Sequence, residues 1–197
     1  MTLLKIWRQF FLWISGTWLY EFVLKWVVPA IRFGGRPTPR LVREIILDRI
    51  RLGDVLVVKD RHKLTNILIG GEFSHCGMYL GLGEVGEMAA NGYGAVSLRT
   101  FLSHSTKIKV LRLRDYDKKY ATLMVRKFRM LGHPADYDIK FSLGIDLLAC
   151  SEIIYHADIE NRMKADLTDI AGLGRPYISP DGIAKAPGLK EWFDYEA

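Results

Sequence analysis

Phe73-Ser-His-Cys-Gly-Met-Tyr-Leu-Gly81 is the stretch on which the fold turns. It is short and mostly apolar, and it follows a glycine pair, as a buried strand does. Side chains alternate along a strand, so Phe73, His75, Gly77 and Tyr79 share one face and Cys76 and Met78 the other. A histidine fixed in a strand stands on a rigid platform, which a general base needs to meet a nucleophile from another element. The same alternation turns Cys76 away from His75, so the partner thiol is expected elsewhere.

Working outward, Asp54-Val-Leu-Val-Val-Lys59 is a β-branched run that follows a Gly53-Asp54 turn. Gly83-Glu-Val-Gly-Glu-Met88, Ala95-Val-Ser-Leu98 and Lys107 to Leu113 complete about five short strands. After Tyr116 the period becomes helical, over Lys118 to Leu131 and again over Ile145 to about Asp158. Strands followed by helices indicate an α+β fold with a small antiparallel sheet. On the N-terminal side, Arg40 to Ile50 has helical spacing, with Leu41, Ile45, Ile46 and Ile50 on one side. Pro29 ends an earlier helix, and Phe33-Gly-Gly-Arg-Pro-Thr-Pro39 reads as a linker. The chain therefore divides into an N-terminal helix and linker, 1–39, and a main domain, 40–197, whose sheet begins near Leu52.

The N-terminal helix has its own character. Four of the five tryptophans, Trp7, Trp13, Trp18 and Trp26, fall in it, so it faces a different solvent from the core. Leu3, Ile6, Trp7, Phe10, Trp13 and Ile14 lie opposite Lys5, Arg8, Gln9 and Ser15. Its uncharged run, Gln9 to Tyr20, is 12 residues, short of the roughly 20 that span a bilayer. An interfacial anchor with the tryptophans at headgroup depth is expected. The net charge of +6 is concentrated just beyond it, at Arg32, Arg36, Arg40, Arg43, Arg49 and Arg51, which suits an anionic membrane surface. No nucleic-acid-binding motif accompanies that charge, so nucleic acid is not the expected partner. If the helix spans, the basic stretch after it places the main domain on the cytoplasmic side.

Cys150 lies in Ile145-Asp-Leu-Leu-Ala-Cys-Ser-Glu-Ile-Ile-Tyr155, a run with helical character. A thiol becomes a good nucleophile as thiolate, and a helix N-terminus or an imidazolium favours that form. Asp146, or a residue nearer Cys150, could cap this helix. A histidine base needs an acceptor for its second ring nitrogen. Glu87, on the next strand, is the first choice, ahead of Glu84 in a turn-like glycine context and of Asn91. His62, His104 and His133 sit in loops or turns, and His156 points to another side of the Cys150 helix. With only two cysteines and no CxxC or HxxxH spacing, no metal or cofactor is expected, and free thiols suggest a reducing compartment.

Taken in order, several fragments carry a resemblance: Gly53-Asp54-Val-Leu-Val, Phe73 to Gly81, Glu87-Met-Ala-Ala90 with Gly94-Ala-Val96, Cys150-Ser-Glu-Ile-Ile154 and Ile178-Ser-Pro-Asp-Gly-Ile183. Over about residues 52 to 185 the chain resembles the circularly permuted papain-like hydrolases of the YiiX/YebB type, within the wider NlpC-type superfamily. Permutation accounts for histidine preceding cysteine. The resemblance implies Cys150 as nucleophile, His75 as base and Glu87 as orienter. Tyr137, Asp138 and Asp54 are pocket candidates whose first reading is structural, the pair as a brace for the Cys150 helix and Asp54 as a turn at strand entry. The implied reaction is acyl transfer through a thioester. A small-molecule, lipid or peptide substrate fits: a peptide amide, a lipid ester or amide, or a thioester. The lecithin:retinol acyltransferase group, which shares the histidine-first order, lends the lipid option support by analogy. A membrane-tethered binding module on the same fold is the rival expectation.

Overall fold

The structure is a computed structural model and describes residues 38–60, 71–89, 91–103, 105–133, 135–138, 147–169 and 176–197. At its centre is β1 (Val55–Asp60), whose apolar run is explained by burial on both faces. It pairs antiparallel with β2 (His75–Gly81), Val58 opposite His75 and Val55 opposite Met78. On its other side lies β5 (Ser105–Leu113). With β3 (Glu84–Ala89), β4 (Gly92–Ser97) and β10 (Leu189–Glu196) they form one antiparallel sheet in the order β10-β5-β1-β2-β3-β4. Two short pairs lie outside it, β6 (Asp136–Tyr137) with β7 (Leu147–Leu148) and β8 (Thr168–Asp169) with β9 (Pro176–Tyr177).

Each face of the sheet carries its own core. On one face Val55, Val57, Cys76, Met78 and Leu80 pack against α3 (Lys118–Gly132) and α4 (Cys150–Ala157). The stripe Tyr120, Ala121, Met124, Val125 and Phe128 is the buried side of α3. On the other face Leu56, Val58, Tyr79 and Val85 meet Ile46 of α1 (Arg40–Arg49) and Leu98 and Phe101 of α2 (Leu98–Phe101). The expected α+β architecture is present, with helices on both sides of an antiparallel sheet.

Three local expectations are corrected. Along α1 and its C-cap the side turned to the sheet is Val42, Ile46 and Ile50, with Ile46 fully buried, so Ile46 and Ile50 pack as expected while Leu41 and Ile45 are exposed. Glu84 opens β3 opposite Ser97 instead of lying in the turn, which is made by Leu82 and Gly83 at positive φ. The strand β10 was not expected; its charged residues interleave with Trp192, Phe193 and Tyr195, which pack on the α1–α2 side. Trp7, Trp13, Trp18 and Trp26 lie outside the described residues, as do the expected first helix and most of the linker. Among the described residues no helix is long and apolar enough to cross a membrane.

Candidate active site

The helix α4 begins at Cys150, five residues later than its apolar pattern suggested. Leu147–Leu148 (β7) is instead extended and pairs in parallel with Asp136–Tyr137 (β6). Ala149 is the N-cap and offers no side-chain acceptor, so no cap covers the N–H groups that a helix leaves open in its first turn. Glu152, wholly buried, reaches back to accept the Ala149 N–H at 2.8 Å, the carboxylate half of a capping box. The thiol thus stands at the positive end of a helix, where an anion is favoured.

His75 is the first residue of β2 and is buried. Its Nε2 lies 2.5 Å from Oε2 of Glu87. Register explains the meeting: Glu87 of β3 faces Gly77, so it is the diagonal neighbour of His75 on the same face. The Phe101 ring covers the imidazole, with centroids 5.6 Å apart. Gly77 makes room for that ring, since a Cβ there would come within 2.9 Å of Phe101 and 2.7 Å of Val85.

The helix α4 packs against β2, and Cys150 shares one buried core cluster with Cys76, the residue that follows His75. The Cys76 hydrogen bond, and after it the His75 charge and hydrogen bond, hold the Cys150 thiol well below the usual range against the opposing effect of burial. Burial, together with the facing Cys150, pushes the Cys76 thiol up. The two thiols are thus pushed in opposite directions, Cys150 toward the thiolate and Cys76 toward the neutral thiol. Alternation holds along β2, with Cys76 in the α3–α4 core and His75 against Phe101. Cys150 and His75 each begin an element, so they meet at the strand's end, where Cys76 is one residue away.

A brace joins the two elements. Ser151 Oγ donates to the Ile178 carbonyl at 2.6 Å. Three residues on, Asp181 of α5 (Pro180–Ala184) accepts the N–H groups of Glu72 at 2.9 Å and Phe73 at 2.8 Å, just ahead of His75. Sequence reasoning missed Ser151, Glu152 and Asp181 as positioning groups. Glu152 was findable as the glutamate three residues after an N-cap, had the helix start been known.

The pocket candidates separate. Asp138 is buried and its N–H donates to the Leu148 carbonyl at 3.1 Å, so the 137–138 backbone braces the segment leading into Cys150. The Tyr137 side chain lies outside the described residues, although its backbone faces Leu148. Asp54 is not brought to the cluster. It precedes β1 beside Tyr79, about four residues or roughly 13 Å along the strand direction from His75. There it accepts from Arg112 Nε and Nη2 at 2.8 and 2.7 Å. Among the described residues no group of three or more His, Cys, Asp or Glu is arranged to hold a metal ion.

A sheet whose histidine strand precedes the helix bearing the thiol, with both at one edge of the core, defines the permuted papain-like class of fold. The chain belongs to the permuted papain-like amidase enzymes, the YaeF/YiiX or C92 family, whose sequence profile matches residues 49–186. Among solved structures, that titled metalloprotein yiiX from Escherichia coli O157:H7 is similar with a TM-score of 0.63 and 17% identity, over 75% of this chain and 98% of that one. That likeness concerns the fold alone. No curated protein matches the chain.

Proposed function

We propose that this chain is a thiol-dependent acyl hydrolase in which Cys150 attacks, His75 moves the proton and Glu87 orients the imidazole. The observation that carries the proposal is a part-buried His75–Glu87 pair beside a helix N-terminal thiol that Cys76 and then the imidazole draw well below the usual range. Cys150 thiolate adds to a carbonyl carbon, and the oxyanion gathers at the first-turn N–H groups of α4, including that of Cys150. His75 delivers the proton to the leaving amine or alcohol, leaving a thioester on Cys150. Water then adds to the thioester with His75 as base; the C–S bond breaks, and carboxylic acid and thiolate are released. Glu87 accepts from Nε2 and so leaves the other ring nitrogen for the reacting groups.

The substrate class is an amide, with a lipid ester or thioester as the wider range, presented at an anionic membrane surface. The Trp-rich segment, with its arginines, supports the membrane part. Incubation with p-nitrophenyl butyrate tests the chemistry: a burst of nitrophenolate and a butyryl adduct mapped to Cys150 are expected, both absent in Cys150→Ala. A protein that keeps the fold for binding only would give neither. Flotation with phosphatidylglycerol vesicles tests the surface; the full chain rises, and the variant with Trp7, Trp13, Trp18 and Trp26 all changed to Ala stays down.

A further inference from the structure

The outer face of α3 carries cations without counter-charges. Lys118, Lys119, Arg126 and Arg129 are exposed on it and Lys127 is half-buried, while the helix contains no Asp or Glu. Its N-cap, Asp117, is turned to the Lys119 N–H at 2.9 Å. Among the described residues none of these cations forms an ion pair, whereas Lys107, Lys109, Arg112 and Arg162 face carboxylates. An ordinary solvated face looks like that of α1, where Arg40 pairs with Glu44 at 2.6 Å and Asp48 stands one turn further along. On α3 the pattern works against the helix itself. Lys118 and Lys119 occupy the first turn, where the dipole favours acids. Arg126 and Arg129 stand at a like-charge spacing that weakens a helix.

Two apolar side chains lie in the same face, Leu123 at 40% and Met130 at 60% exposure. They stand about two turns apart on one line, with Arg126 and Lys127 between them. A single exposed apolar residue is ordinary on a surface. Two in register inside a cationic stripe match a helix lying at headgroup level on an anionic membrane. A nucleic-acid backbone would use the charges and not the apolar pair. The helix also lies beside the site: it packs with α4 on one face of the sheet. Its C-terminal Gly132 packs on the Tyr93 ring, opposite Met88 and one residue from Glu87 in register.

We propose that the outer face of α3 is a docking surface for anionic phospholipid, a second membrane contact besides the Trp-rich segment. The inference deepens the membrane part of the proposed function and rests on it. The Lys and Arg heads reach lipid phosphates while their stems lie along Leu123 and Met130. The two apolar side chains enter the boundary between headgroups and acyl chains. Lipid gathered there is next to the helix that carries Cys150.

The test is the partition of the full chain onto mixed phosphatidylglycerol–phosphatidylcholine vesicles, read by flotation over a lipid titration. Wild type is compared with Lys119→Gln/Arg126→Gln/Lys127→Gln and with Leu123→Ser/Met130→Ser, which keeps the charge. All five side chains are at the surface, and an unchanged urea midpoint shows that each variant is folded. The charge variant is expected to lower the partition coefficient about tenfold or more, and the apolar variant about threefold or more. Both variants partitioning like wild type, while the four-tryptophan variant stays down, overturns docking on α3 and leaves the membrane reading standing. A wild-type chain that stays down removes both. A loss in the charge variant with none in the apolar one also overturns the lipid proposal. A short DNA duplex bound equally by wild type and the apolar variant then assigns the face to nucleic acid.

Discussion

Two carboxylates that look alike in sequence serve opposite purposes in the fold. Asp54 sits before β1 and Glu87 within β3, and each meets a cationic or potentially cationic partner. Asp54 is wholly buried and accepts two hydrogen bonds from Arg112 and one from the Arg51 N–H at 2.8 Å. Arg112 is itself held over the Tyr116 and Trp192 rings, 5.7 and 5.1 Å from their centroids. Burial still pushes the Asp54 carboxyl up against the pull of Arg112, so the pair is a costly strut rather than a net source of stability. Arginine does not give up its proton, and nothing in that pair can cycle. Glu87 faces an imidazole instead, the one side chain whose charge changes near neutral pH. The partner, not the carboxylate, decides which pair does chemistry.

That contrast is breakable from either end. The largest effect on folding is expected for Arg112→Ala, which strands a buried carboxylate and costs about 3–5 kcal/mol, read by urea denaturation. Next is Glu87→Gln, which is expected to leave the denaturation midpoint nearly in place while slowing butyryl transfer by about 10² or more. If Glu87→Gln unfolds the protein and Arg112→Ala only slows turnover, the roles assigned to the two carboxylates are reversed. Gly77→Ala should cost about 1–3 kcal/mol through overpacking against Val85 and Phe101, and it should slow turnover as well, because Phe101 covers His75. The smallest effect belongs to the brace. Asp181→Asn is expected to cost about 1 kcal/mol, with a measurable loss of turnover because the β2 start that carries His75 is loosened.

Much of the site was legible because its residues lie on regular elements. Period-two alternation placed His75 on β2, and the glycine-bounded run after it placed Glu87 on an adjacent antiparallel strand. What stayed hidden depended on where elements end. The apolar pattern runs unbroken from Ile145 through Ile154, so nothing in it marks that the helix begins at Cys150. Once that start is fixed, the uncapped thiol and the Glu152 back-contact follow. Asp54 stands at strand entry, as its Gly-Asp context allowed, but its partner Arg112 is 58 residues away in sequence and could not be read from it.

The most direct test of a Cys150–His75 nucleophile is the pH dependence of iodoacetamide alkylation at Cys150, in wild type and in His75→Ala. The contacts that favour the thiolate lower the folded-state thiol, so alkylation should continue at its plateau rate well below the ordinary thiol value of about 8.5. Removing the imidazole should move that curve upward and cut the rate at pH 7 by roughly tenfold or more. A wild-type curve centred near 8.5 and unmoved by His75→Ala would contradict the catalytic assignment.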